Sequence, residues 1–93
     1  MNEVEIKLDN GEGAFIIKHE NKQAGEMIFQ LSGTEMIVNH TEVDPQFEGK
    51  GLAKKMFLKM IKYARENKLK VVANCSYVQA QIQKNKEEYT DVI

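Results

Sequence analysis

The stretch Asp44-Pro45-Gln46-Phe47-Glu48-Gly49-Lys50-Gly51-Leu52-Ala53-Lys54-Lys55 separates two halves of this 93-residue chain that obey different periods. Before it, apolar residues alternate with polar ones; after it, they recur at helical spacing. At the junction stand two glycines, one residue apart, at the mouth of a helix. Glycine costs a helix about 1 kcal/mol relative to alanine. Their presence there points to a demand for bare backbone.

Toward the N-terminus, Val4-Glu5-Ile6-Lys7-Leu8 predicts a strand with one face on a core. Asp9 to Gly13 predicts a turn, because Asn and Gly tolerate positive φ. Ala14 to Ile17 predicts a second strand, ending at polar His19-Glu20-Asn21, and Lys22 to Leu31 a third. In the third, Met27, Phe29 and Leu31 oppose Glu26 and Gln30. Ser32-Gly33-Thr34 turns the chain into a fourth strand, Glu35 to Val43, with apolar residues on both faces, as near a sheet centre. Such short turns imply an antiparallel meander.

Toward the C-terminus, Ala53, Met56, Phe57, Met60, Ile61 and Ala64 form one helical stripe. Lys54, Lys55, Lys62 and Arg65 lie off it and are expected to face solvent, and Asn67 or Lys68 ends the helix. Leu69 to Ala73 predicts a fifth strand. Ser76 with Gln79 resembles a capping box opening a second helix over Tyr77 to Lys84. Tyr89, Val92 and Ile93 are candidates to dock on the body. The expected class is α+β: a mixed, mostly antiparallel five-stranded sheet, a long helix between strands 4 and 5, and a second helix after strand 5.

The length fits one domain over residues 1–93. A net charge of −1 offers no long-range attraction for nucleic acid or anionic membrane, and the lysine-rich helix face lacks interleaved aromatic platforms. No apolar run reaches membrane-spanning length, and the acidic start, Met1 to Glu5, carries no signal-peptide pattern. The single cysteine, Cys75, fits a reducing, cytoplasmic setting. Two distant histidines and one cysteine make no metal ligand set.

Helix first turns carry N–H groups without partners, and their dipole favours an anion. Gly49 and Gly51 would let a phosphate approach those groups, with Lys50, Lys54 and Lys55 adding positive charge. A tight turn alone is the plainer explanation of the same spacing. The Walker pattern is excluded because Gly51 follows Lys50 where Ser or Thr is needed. The dinucleotide fingerprint is excluded because Lys54 stands at its third glycine.

Gln46-Phe47-Glu48-Gly49-Lys50-Gly51 resembles the Q/R-x-x-G-x-G/A signature of the GNAT acetyltransferase superfamily. His40-Thr41-Glu42-Val43, Gly51-Leu52-Ala53, Tyr63 to Asn67, Val71 to Val78 and Glu88-Tyr89 are similar to a subgroup of very small GNAT-like proteins. The likeness covers residues 35–93, and more weakly the strands before. It implies a minimal GNAT-like fold that binds acetyl-coenzyme A and moves the acetyl group to an amine on a small molecule, peptide or protein. On this resemblance Val43, Gln46, Phe47, Glu48, Gly49, Lys50, Gly51, Leu52, Ala53 and Tyr77 form the cofactor site. One departure stands out. Where typical members place helices between the first two strands, this chain has only a turn, so the acceptor site is expected to be open.

The resemblance also places the ends of strands 4 and 5, with His40 and Cys75, near the thioester. Cys75 would take or orient the acyl group, and His40 would manage the proton. A small buried hydrophobe is the plain reading of Cys75, and a satisfied core histidine that of His40, which follows Met36 and Val38 in alternation. Tyr77 and Tyr89 are candidate acids or wall residues, and Glu42 and Glu48 alternative bases. His19 is expected to be solvated. The rival functions are a non-catalytic coenzyme-A-binding module and an interaction domain.

Overall fold

The computed structural model describes residues 3–93. Five strands, β1 (Val4–Asp9), β2 (Glu12–His19), β3 (Lys22–Ser32), β4 (Glu35–Val43) and β5 (Lys70–Ala73), stand in the sheet in sequence order. The first four pair antiparallel and β5 runs parallel to β4. Helix α1 (Leu52–Glu66) makes the crossover between β4 and β5, and α2 (Ser76–Lys84) follows β5. The expected α+β architecture is thus the one observed.

The tight hairpins follow from local chemistry. Asn10 and Gly11 take φ of 52° and 81°, the paired left-handed geometry that matches strand twist. Glu20 and Asn21 do the same at 51° and 66°. One face of the sheet supplies Phe15, Ile17, Met27, Phe29, Met36 and Val38 to the core. Against it lies the α1 stripe of Met56, Phe57, Met60, Ile61 and Ala64, with Leu52 at its start; Ala53 is only partly covered. Phe15 stacks tilted on Phe29 at 5.0 Å between centroids and meets Tyr63 edge-on at 5.9 Å.

Two short 3₁₀ turns were not legible in the sequence, Pro45–Phe47 and Lys86–Tyr89. The first is capped by the Asp44 carboxylate, which accepts from the Gln46 N–H at 3.1 Å. The second brings the tail onto the body: Tyr89 and Val92 are buried, whereas Ile93 stays exposed. Arg65 faces solvent, as expected, and from there also anchors the tail, donating to the Asp91 carboxylate at 2.8 Å and the Glu88 carbonyl at 2.6 Å.

The expected capping box does not form. Cys75, not Ser76, is the N-cap of α2, and its carbonyl accepts from the Gln79 N–H. The Gln79 amide group turns back to the Ala73 carbonyl at 2.9 Å. The helix starts one residue early because Cys75 keeps extended backbone, φ −103° and ψ 130°, as a continuation of β5.

Candidate functional site

Between β4 and α1, Gly49 and Gly51 take φ of 83° and 73°. That region is costly for most residues with a Cβ, so the turn itself already favours glycine at both positions. The glycines also face open space: a Cβ at either would meet no atom within 4 Å. Gly51 is the N-cap of α1, and no side chain caps that helix end. The first intrahelical bond runs from Lys55 N–H to the Gly51 carbonyl. The N–H groups of Leu52, Ala53 and Lys54 therefore precede the ladder and carry the positive end of a 15-residue helix.

A cavity of about 240 Å³ opens beside this loop, lined by Val43, Phe47, Glu48, Gly49, Gly51, Leu52, Ala53, Lys54 and Tyr77. Tyr77 arrives from α2, across the parting of β4 and β5. Of the ten positions expected to hold a cofactor, eight share this wall, while Gln46 and Lys50 stand outside it. Lys54 was expected to be a free surface charge. Its Nζ donates to Gln81 Oε1 at 2.9 Å and lies 5.7 Å from the Phe57 ring centre, which ties α1 to α2 beside the cavity.

The β4–β5 ladder ends at Val38 and Ala73, and β4 continues alone to Val43. A bulge falls at the same place, because Phe29 pairs with Val38 but Ile28 with His40, leaving Asn39 unpaired. One extra residue exchanges the two faces of a strand. Met36 and Val38 point into the core, but beyond the bulge Thr41 and Val43 take that side and His40 turns outward. His40 is consequently no core histidine: its side chain is 54% exposed and lies 3.7 Å from Glu42 Oε1 on the opposite face. No hydrogen bond joins His40 to Cys75 among the described residues.

Cys75 meets Thr41 instead. The thiol sulfur is 3.3 Å from Thr41 Oγ1, and the residue is only 9% exposed. The Asp44 N–H bonds to the Ala24 carbonyl, so the even-numbered backbone of this half of β4 faces β3 and the Thr41 N–H points toward α2. Burial pushes the Cys75 thiol up, but the Thr41 hydroxyl and the backbone N–H groups of Val78, Tyr77 and Thr41 together hold it below the ordinary cysteine value. Tyr77 moves the other way, raised by burial and by the neighbouring Cys75, which keeps its phenol protonated. The site is thus a thiol surrounded by donors, two residues along β4 from the cavity wall at Val43.

Residues 14–92 match the family described as GCN5-related N-acetyl-transferase. The chain belongs to that family. A GCN5-like candidate N-acetyltransferase from Staphylococcus aureus, solved by NMR, is 30% identical over 95% of this chain and 85% of its own, with a TM-score of 0.67. The ribosomal-protein-alanine N-acetyltransferase of Brucella melitensis biovar Abortus 2308 is 25% identical. It aligns over 86% of this chain but only 62% of its own length, at a TM-score of 0.66. A GNAT family acetyltransferase from Elizabethkingia anophelis with acetyl-CoA bound shares the fold at a TM-score of 0.71, covering 91% of this chain and 74% of that one, with 12% identity. No curated protein matches in sequence.

The sheet agrees with the fold of the relatives, and the local chain explains the details of the site. Thr41 is the residue sequence reasoning passed over. Its signal was present: inward apolar positions change from even numbers, Met36 and Val38, to an odd one, Val43. Such a parity change within one strand is the mark of a bulge. His19, expected to be solvated, is partly buried and packs edge-on to Phe47 at 5.3 Å. Tyr89 is packing, edge-on to Phe57 at 5.4 Å. No helix among the described residues is long and apolar enough to cross a membrane.

Proposed function

We propose that this chain is an acetyl-coenzyme-A-dependent N-acetyltransferase acting on an amine. The observation that carries the reading is the uncapped N-terminus of α1 behind two left-handed glycines that face open space. This end fits a diphosphate: it offers N–H donors, a helix dipole, and no side chain in the way. Gly49, Gly51, Leu52 and Ala53 would hold the diphosphate, with Val43 and Tyr77 walling the arm beyond it. When bound, the thioester supplies an activated acyl group.

The chain's own residues have two tasks. A protonated amine cannot attack, so its proton must first be taken by a base or by water. On attack a C–N bond forms, the C–S bond breaks, and the coenzyme leaves as its thiol. The protonated Tyr77 phenol is the candidate to return a proton to that sulfur, and the outward Val43 N–H group is the candidate to meet developing negative charge. By the two-step route Cys75, held toward its thiolate, attacks the acyl carbon first and releases the coenzyme thiol, and the amine then forms the C–N bond as the bond to Cys75 breaks. His40 and Glu42, on the outer face, stand where an acceptor arriving from that side would lose its proton. A second cleft, of about 420 Å³, shares Val43 with the cofactor cavity and is lined by Glu26, Glu42 and Asp44. Carboxylates there favour a cationic amine. A reducing cytoplasmic setting suits the single thiol.

Calorimetric titration with coenzyme A, followed by thioester cleavage with a panel of amines, tests the proposal. Binding and turnover are expected in the native chain, with binding weakened tenfold or more in Gly51→Val. The added β-branched side chain both strains a φ of 73° and fills the diphosphate's approach. A flat titration at millimolar ligand overturns the reading. Binding without turnover on any amine leaves the rival, a coenzyme-A-binding module.

A further inference from the structure

We propose that β1 is a self-complementary edge through which two copies of this chain join into one continuous ten-stranded sheet. Among the described residues the two edges of the sheet are unlike. The β5 edge is already occupied, because its Val71 N–H donates to the Val92 carbonyl and its Ala73 carbonyl accepts the Gln79 side chain. The β1 edge has no strand beside it.

Three observations fix which β1 groups point outward. The Lys18 N–H bonds to the Glu3 carbonyl, and in the β1–β2 register these residues lie opposite each other. The hairpin closes on the pair Asp9 and Glu12. The Leu31 N–H bonds to the Gly11 carbonyl, which commits the odd-numbered backbone of β2 to β3 and leaves the even-numbered backbone for β1. Opposite residues in an antiparallel pair alternate between bonded and non-bonded. Glu3, Glu5, Lys7 and Asp9 therefore spend their backbone on β2, and Val4, Ile6 and Leu8 present N–H and C=O to the open side.

A two-fold antiparallel partner must use these same three residues. Centring the pair on Ile6 sets Ile6 against Ile6 and Val4 against Leu8, all in the bonding phase. It also sets Glu5 against Lys7 twice, once on each side of the axis. Shifting the centre to residue 5 opposes Glu5 to Glu5, with Glu3 against Lys7 on each side, and takes Leu8 out of the pairing with Val4; shifting it to residue 7 opposes Lys7 to Lys7 and Glu5 to Asp9. Opposite charges directly across a ladder stabilise it and like charges destabilise it. The Ile6 register is selected because it alone sets all three outward residues against one another, with opposite charges flanking the axis. Its unfavourable pair, Glu3 against Asp9, recurs on each side of the axis but lies at the strand ends in solvent, and Glu5 also has Lys18 of its own chain at 3.5 Å. Leu8 is 52% exposed. The pairing lays it beside the partner's Val4 on the helix side of the sheet and extends the apolar surface across the junction. An edge-to-edge contact of this size is small, so the association is concentration-dependent.

Sedimentation equilibrium from micromolar to millimolar protein, with amide hydrogen exchange at both ends of the range, tests the pairing. The mass is expected to rise from 10.7 kDa toward twice that value, and exchange at Val4, Ile6 and Leu8 to slow as it does. Lys7→Glu should hold the protein monomeric, and the double swap Glu5→Lys with Lys7→Glu should restore association. Ile6→Pro, which removes an outward N–H without touching the β1–β2 ladder, should also prevent it. Circular dichroism of each variant checks the fold, and the native chain's exchange pattern stands as a readout if one fails. A native mass fixed at that of the monomer overturns the proposal, as does association that ignores Lys7→Glu. A double swap that folds but stays monomeric overturns the register.

Discussion

At residue scale, the Cys75 sulfur and the Thr41 hydroxyl make the contact from which the proposed chemistry can be measured. The thiol's value is lowered in the folded chain, so its thiolate is stabilised by folding. That stabilisation is complete above the free thiol value of about 8.5 and is lost as pH falls through the lower folded value. The melting temperature of the native chain, compared with Cys75→Ser, is therefore expected to gain as pH rises through this window. Thr41→Val should move the alkylation midpoint of Cys75 to higher pH and slow alkylation at neutral pH several-fold, while Thr41→Ser should retain the native profile. An unchanged midpoint in Thr41→Val would show that the hydroxyl does not govern the thiol.

At the scale of elements, the C-terminal tail replaces what a further strand would give to the β5 edge. Its Val92 carbonyl bonds to Val71, and its Asp91 carboxylate is gripped by Arg65 of α1. That hydrogen bond to Arg65 holds the Asp91 carboxyl below the usual carboxylate range, although desolvation works against it. The Arg65–Asp91 pair's contribution is thus present above about pH 4 and fades as pH falls through the lower folded value. Arg65→Ala should speed hydrogen exchange at Val71 and Val92 several-fold and leave β2 and β3 unaffected, because local opening needs only the docked segment to lift. Uniform acceleration across the sheet would mean that the tail is not a separate unit.

At the scale of the whole molecule, a chain this short has one core, and its largest side chains share the load. Phe29 is fully buried between Phe15 and Tyr63. Phe29→Ala should cost about 3–5 kcal/mol in urea unfolding, against a total of about 5–14 kcal/mol for a domain of this length. A loss below about 1 kcal/mol would place the core's weight elsewhere. The sequence by itself determined the strands, the hairpins, the amphipathic helix and the glycine turn, since period, turn residues and left-handed backbone are local properties. Tertiary structure alone decided which side chains meet. The bulge at Asn39 forms because β3 and β4 pair around it, and it exchanges His40 for Thr41 opposite Cys75. Tyr77 reaches the glycine loop, and Arg65 the tail, across distances in sequence that no local pattern encodes. Contacts of that kind depend on the packing of separate elements, and that packing exists only once the chain has folded.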